Sequence, residues 1–222
     1  MILAYETSTD VCSVSFQNRE GQLFEKRTQG RSVHSDHVFL YTQELMNEHQ
    51  FKIDELEAVL VSNGPGSYTG LRIAASAIKG ILFQSDVKLF EVNTLAGFAQ
   101  SIVVVPGTFT VHSIIDARRT HVYHQRFEAD NLLIQQSEMG LKDIADFEQE
   151  IKEGDYVVGT GIQRLSENTL SKVTTFESGI ISASNLIELF INQRNSPFFK
   201  ETTPEALNPN YISSSQVNNS KG

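Results

Sequence analysis

The segment Asn63-Gly64-Pro65-Gly66-Ser67-Tyr68-Thr69-Gly70-Leu71-Arg72 decides how this chain is read. An apolar, β-branched run at 58–61 leads into it, and an alanine-rich apolar segment at 73–83 leaves it. That order predicts strand, glycine-rich turn, helix. Such a turn offers backbone N–H groups at a helix start, where the dipole favours negative charge, so one reading is an anion or phosphate site. The other is a structural turn built on Gly64, Pro65, Gly66 and Gly70. Ser67 or Thr69 would then cap the helix, and Gly70 would admit close packing. The segment has no Gly-Lys-Ser/Thr ending, and Gly64-x-Gly66-x-x-x-Gly70 misses the GxGxxG spacing. Neither a Walker loop nor a dinucleotide fingerprint is therefore present.

Outward from that turn, 222 residues are enough for one large domain or two small ones. Hydrophobic and charged fractions of 40% and 20% place the chain among ordinary soluble proteins. No apolar run approaches the length that spans a membrane, and the opening Met1-Ile2-Leu3-Ala4 lacks a basic region, so neither a membrane segment nor a signal peptide is expected. The lone cysteine, Cys12, excludes an internal disulfide, fits a cytoplasmic location, and reads as a small core residue. A net charge of −9 argues against a chain that grips nucleic acid alone, so any nucleic-acid role would rely on a basic partner.

In chain order, strands are expected at 2–5, 11–16 and 22–27, then a helix over 32–50. The strand at 58–61, the glycine turn and a helix to about residue 84 follow. A strand at 87–92 comes next, with Asn93-Thr94 opening a short helix. Beyond Val105-Pro106-Gly107 the opening is repeated: a strand at 111–115, an acid (Asp116) at its end, a turn, and a return strand at 121–127. Further expectations are a strand at 131–136, helices at 144–151 and 184–193, and a strand at 156–158 running into Gly159-Thr160-Gly161. Each half thus begins strand, acid (Glu6, Asp116), small polar turn, strand, and later carries a glycine turn. The duplication implies two similar α/β lobes with mixed sheets and flanking helices, at 1–104 and 105–212, with a loosely held tail at 213–222.

These residues also carry a family resemblance. Ile2-Leu3-Ala4-Tyr5-Glu6-Thr7-Ser8, Arg31-Ser32-Val33-His34-Ser35, the block 64–73, Ile115-Asp116-Ala117-Arg118, Val158-Gly159-Thr160-Gly161 and Pro209-Asn210-Tyr211-Ile212 resemble the TsaB (YeaZ) family. The resemblance spans nearly the whole chain and is densest over the first 120 residues or so. It implies the fold of the actin, Hsp70 and sugar-kinase (ASKHA) superfamily. It also implies an accessory, dimerising subunit for making threonylcarbamoyladenosine in tRNA. The implied partners are a TsaD-type catalytic subunit and a TsaE-type ATPase, and the isolated chain can pair with itself. Tyr5-Glu6 stands where the family more often has Ile-Asp.

By the same resemblance, TsaD proteins take metal ligands from an HxxxH pair just after Val-Asn. Here Thr94 and Phe98 stand at those two positions, so no metal centre is expected, nor a catalytic residue. Glu6, Thr7, Asp116, Gly159 and Gly161 sit where the superfamily places phosphate and adenosine contacts. No Lys or Arg accompanies Glu6-Thr7-Ser8, so weak ATP or ADP binding at most is expected and no resident cofactor. His34 and His37 share a helix face with no suitably placed acid. His121 and His124 point to opposite faces of a strand. No Gly-x-Ser-x-Gly elbow is present. Two competing functions remain, an independent ATP-binding enzyme of the sugar-kinase type and a metallopeptidase.

With no catalytic site expected, the surface becomes the candidate. The helix after the glycine turn carries two apolar stripes. One reading buries both within the chain. The other, which the resemblance favours, places Val38, Tyr41 and Leu45 of the first helix with Ile73, Ala77 and Ile81 in a partner-facing patch. The glycine turn then becomes the rigid piece that aims this helix.

Overall fold

The computed structural model describes residues 1–210. The tail expected at 213–222, together with Tyr211 and Ile212, lies outside them. The first elements are β1 (Ile2–Glu6), β2 (Val11–Gln17), β3 (Leu23–Gln29), α1 (His34–His49), β4 (Ala58–Ser62), α2 (Tyr68–Ile81), β5 (Lys88–Val92) and α3 (Thr94–Gln100). Then follow β6 (Phe109–Asp116), β7 (His121–Asp130), β8 (Leu132–Gln135), β9 (Gly140–Asp143), α4 (Ile144–Glu150), β10 (Tyr156–Val158), α5 (Glu167–Leu170) and β11 (Thr174–Phe176). The last two are α6 (Ala183–Gln193) and β12 (Phe199–Thr202).

These elements gather into two compact units, one of Met1–Gly97 with Ser182–Asn210, the other holding Phe98–Ile181. In the first, the strand order is β12-β5-β4-β1-β2-β3. The meander β1–β2–β3 is antiparallel, while β4 and β5 join parallel to β1, each after a helical crossover. The second repeats the plan as β11-β10-β6-β7-β8, with β9 also paired to β7. Again a hairpin, β6–β7, is antiparallel, and β10 and β11 add in parallel. The duplicated mixed α/β architecture read from the sequence is therefore present.

The division along the chain differs from the expected break at residue 104/105. Grouping changes inside α3: Gly97 lies against Leu186 of α6, whereas the Phe98 ring lies against Gly159. The chain then returns at Ser182, so α6 and β12 complete the first unit instead of ending the second. The reason is pairing at long range. β12 hydrogen-bonds antiparallel to β5 across Phe199↔Val92, and α6 packs on β1 and β2.

The first core joins Leu3, Tyr5, Val14 and Phe16 of the meander to Val38 and Leu45 of α1 and Ala74, Ala77 and Ile78 of α2. Phe16 stacks on Phe51 at 4.0 Å between ring centres, and each such buried ring contributes roughly 2–3 kcal/mol. Tyr5 Oη and Thr42 Oγ1, 3.0 Å apart, satisfy each other inside it. The second unit's core gathers Ile114, Val122, Phe147, Val157 and Ile162.

A short polar relay holds the returning segment. Ala183 N–H donates to Ser13 Oγ (2.8 Å), Ser13 Oγ donates to Glu25 Oε1 (2.5 Å), and Ser182 Oγ reaches the same oxygen (2.8 Å). Ser13→Ala orphans a buried N–H, which costs about 1–3 kcal/mol. A urea titration should show a lower midpoint at unchanged slope; an unaltered midpoint would mean that this tie holds nothing.

Candidate functional site

The glycine turn is a junction of backbone segments. Ser67 N–H donates to Ser8 O at 2.6 Å, and Asn63 N–H to Val92 O at 2.9 Å. Gly64 N–H donates to Thr94 Oγ1 at 3.0 Å, and Gly70 N–H to the capping Ser67 Oγ at 3.2 Å. Asn63 also ties down the end of the described chain. Its O accepts from Asn210 N–H (2.8 Å), and its Nδ2 donates to Asn208 O (3.1 Å). Three glycines are required by contact. A Cβ on Gly70 would stand 2.1 Å from Thr7 O, and one on Gly66, at φ 156°, 2.3 Å from Ser8 O. Gly64 stands against Asn210 O in the same way, and the Gly64–Pro65 bond is cis. Four of the N–H groups that a phosphate would need are thus engaged within the chain.

Glu6 and Thr7 lie at the end of β1, both fully covered. Glu6 Oε1 accepts from Ser8 N–H (2.7 Å) and Ser8 Oγ (2.5 Å), while Oε2 is buried without a partner. Burial raises its pKa above the ordinary 4.5, and the bonds from Ser8 oppose the shift. Thr7 Oγ1 donates to Gly70 O at 3.1 Å. Cys12 is buried, and its thiol is pushed up to about 12 by burial and then by Glu6, so it stays protonated and inert.

In the second unit, the ends of β6 and β10 bring Asp116, Gly159 and Gly161 together. Exposed Asp116 accepts from Arg118 N–H and from Arg164 Nη1, both at 2.8 Å. Its own N–H reaches Thr160 Oγ1 at 3.4 Å. Gly159 donates to Phe176 O (2.9 Å) and has Ile114 O where a Cβ would go; Gly161 lies against the Ile114 side chain. Arg164 was not foreseen, because nothing in local spacing links it to an acid 48 residues away. Thr94 is buried as the partner of Gly64, and Phe98 is buried too. His34 Nε2 binds Val11 O (3.2 Å) and His37 Nδ1 binds Val33 O (2.8 Å), so each of this pair serves a backbone carbonyl.

The expected partner patch needs correction. Val38, Leu45 and Ala77 are covered, at 0%, 1% and 1% exposure, because α1 and α2 turn them into the first unit's own core. Tyr41, Ile73 and Ile81 are half-buried at its margin. What α1 and α2 do present is a shallow groove of about 490 Å³ lined by Ser35, Phe39, Tyr68, Thr69, Arg72, Ile73, Ser76 and the edge of Ala77. Phe39 and Tyr68 are more than half exposed, at 54% and 53%, and the Arg72 guanidinium lies 4.1 Å over the Tyr68 ring. The sequence signal for Phe39 was its place beside the Val38–Tyr41–Leu45 stripe. No helix among the described residues is long and apolar enough to cross a membrane.

Comparison with known proteins fits this geometry. A family model described as TsaD: tRNA N6-adenosine threonylcarbamoyltransferase matches residues 29–178. The chain is 25% identical over 198 residues to the tRNA threonylcarbamoyladenosine biosynthesis protein TsaB of Haemophilus influenzae, covering 85% of this chain and 84% of that one. It is 29% identical over 167 residues to the protein of the same name from Escherichia coli, covering 73% and 72%. Among solved structures, YeaZ from Pseudomonas aeruginosa superposes with a TM-score of 0.77 at 22% identity, over 95% of this chain and 99% of that one. That likeness shows a shared fold.

Glu6→Gln keeps an acceptor for the two Ser8 bonds and removes the charge that burial disfavours. The wild-type carboxyl holds its proton to higher pH folded than unfolded, so its contribution is intact below pH 4.5 and is lost as pH rises through the folded value. The variant should match wild type in acid and exceed it by about 1 kcal/mol or more at neutral pH, where only the wild-type side chain must carry a buried charge. Thermal melts across that range check this; a variant less stable at pH 7 would show that the charge is needed.

Proposed function

The chain belongs to the TsaB (YeaZ) family, and from that premise we propose that it is the accessory, dimerising subunit in the formation of threonylcarbamoyladenosine in tRNA. Its partner is a TsaD-type catalytic subunit, which transfers the threonylcarbamoyl group to the adenosine beside the anticodon, and a TsaE-type ATPase joins the assembly. The observation that carries this reading is the groove on α1 and α2. Two exposed aromatic side chains, Phe39 and Tyr68, and the half-buried Ile73 come together there on two helices. Aromatic anchors beside an arginine are the residue types on which interface energy concentrates. The same groove serves a second copy of the chain when the catalytic subunit is absent.

The subunit works without chemistry of its own in this proposal. Thr94 and Phe98 stand where the resemblance to TsaD places metal-binding histidines, and the Thr94 hydroxyl is given to Gly64. Glu6 is turned onto Ser8, and Asp116 onto Arg118 and Arg164, which supports weak nucleotide binding at most. A net charge of −9 supports indirect contact with tRNA, the grip coming from other subunits.

Phe39→Arg places a charge at the exposed centre of the groove without entering the core. Capture of the TsaD-type subunit from the same organism should weaken by about 2 kcal/mol or more, roughly thirtyfold, at unchanged melting temperature. Leu132→Arg, at an exposed position on β8, should bind as wild type. Equal capture by all three proteins would place the interface elsewhere.

A further inference from the structure

Three buried titratable side chains of the second unit form a continuous hydrogen-bonded line that the proposed function leaves unused. His112 lies on β6 and His124 on β7, diagonal neighbours on one face of the sheet because Ile114 pairs with His124 and His112 with Arg126. His112 Nδ1 and His124 Nε2 are 3.0 Å apart, and the rings are within 15° of parallel. On its other side, His112 Nε2 lies 3.2 Å from Asp155 Oδ2, in the turn before β10. Phe147 of α4 covers both rings, its centre 5.6 Å from one and 4.9 Å from the other. Asp155 also holds its own turn, accepting Lys152 N–H at 2.8 Å.

The geometry fixes where the hydrogens are. A carboxylate only accepts, so His112 Nε2 carries a hydrogen. In neutral His112, Nδ1 is then a bare acceptor, and the contact at 3.0 Å requires His124 Nε2–H to donate to it. His124 Nδ1 is left bare. One further proton can be taken up with every bond preserved. It binds at His124 Nδ1, and the hydrogen on His124 Nε2 passes to His112 Nδ1. His112 becomes an imidazolium between the Asp155 carboxylate and a neutral His124, which now accepts. A second proton would set two N–H groups against each other, which breaks the line.

We propose that Asp155, His112 and His124 form a one-proton switch, in which the line charges as a single unit with the proton resting on His112, making the joint between β6, β7 and the turn before β10 responsive to pH. The other charged groups facing it are Arg126 and Glu128 of β7, Lys142 of β9, Glu150 of α4 and Lys152 of the turn. Lys142 is committed to Glu150 at 2.6 Å, while a cavity of about 190 Å³, large enough for several waters, opens beside His112 and Asp155. Burial pushes both imidazoles down, His124 to about 2, and Asp155 opposes the shift at His112 alone. The unfolded chain therefore binds these protons first. Stability is complete above the ordinary 6.5 and declines as pH falls below it.

Long-range proton–nitrogen NMR spectra of the full-length, nitrogen-15-labelled chain, followed through an acid titration, test this. Both rings should respond with one shared midpoint below the ~6.5 of a free imidazole. His124 should switch from the Nε2–H to the Nδ1–H tautomer as His112 becomes the charged ring. Two separate midpoints, a charged His124, or rings that stay neutral until the protein unfolds would each overturn the proposal. Asp155→Asn keeps an acceptor but removes the charge, so the shared midpoint should move to lower pH by at least about one unit, a tenfold loss of proton affinity. A merely structural Asp155 predicts no movement, and the wild-type spectra decide the matter even if that variant fails to fold.

Discussion

Where β1 ends, the carbonyls of Thr7 and Ser8 press against the turn that opens α2, with Gly70 and Gly66 in contact. No side chain fits there. Backbone lies on backbone, and that contact fixes the direction in which α2 leaves the sheet. The same turn takes Thr94 from the start of α3 and Asn210 from the returning segment, so four stretches far apart in sequence share one set of hydrogen bonds. A segment that resembles a phosphate cradle on paper is therefore filled by its own chain. Its role is orientation: it holds α2 beside α1 so that Phe39, Tyr68 and Ile73 line one groove.

Much of the fold was legible because its signals are local. Alternating apolar residues at Val11–Gln17 and a capped, alanine-rich run at Tyr68–Ile81 mark strand and helix, and the repeated strand–acid–turn–strand pattern marks the duplication. What escaped depends on distance. Nothing near Phe199 says that it will pair with Val92, so the return of β12 to the first sheet, and with it the true division of the chain, had no local signature. Arg164 beside Asp116, and Asp155 beside His112, are likewise meetings across more than forty residues.

The candidate site shows the same limit in a different form. Helical periodicity identifies stripes but not what covers them. Val38, Leu45 and Ala77 have the apolar character of an interface and are spent on the first unit's own core. The open side chains that line the groove include Phe39, beside the first stripe, and Tyr68, at the mouth of the turn, with Arg72 lying over its ring. Both inferred acidic positions are tied to neighbours in their own units, Glu6 to Ser8 and Asp116 to Arg118 and Arg164. Phe39 and Tyr68 are thus exposed aromatic side chains that two helices bring into one groove.

The accessory role is tested most directly by reconstitution. Threonylcarbamoyladenosine would be quantified by mass spectrometry in tRNA treated with the TsaD-type subunit of the same organism and the other components, with and without this chain. Yield that collapses to background without it, and returns when it is added, is the expected result. Equal yields in both reactions would contradict the role proposed for this protein.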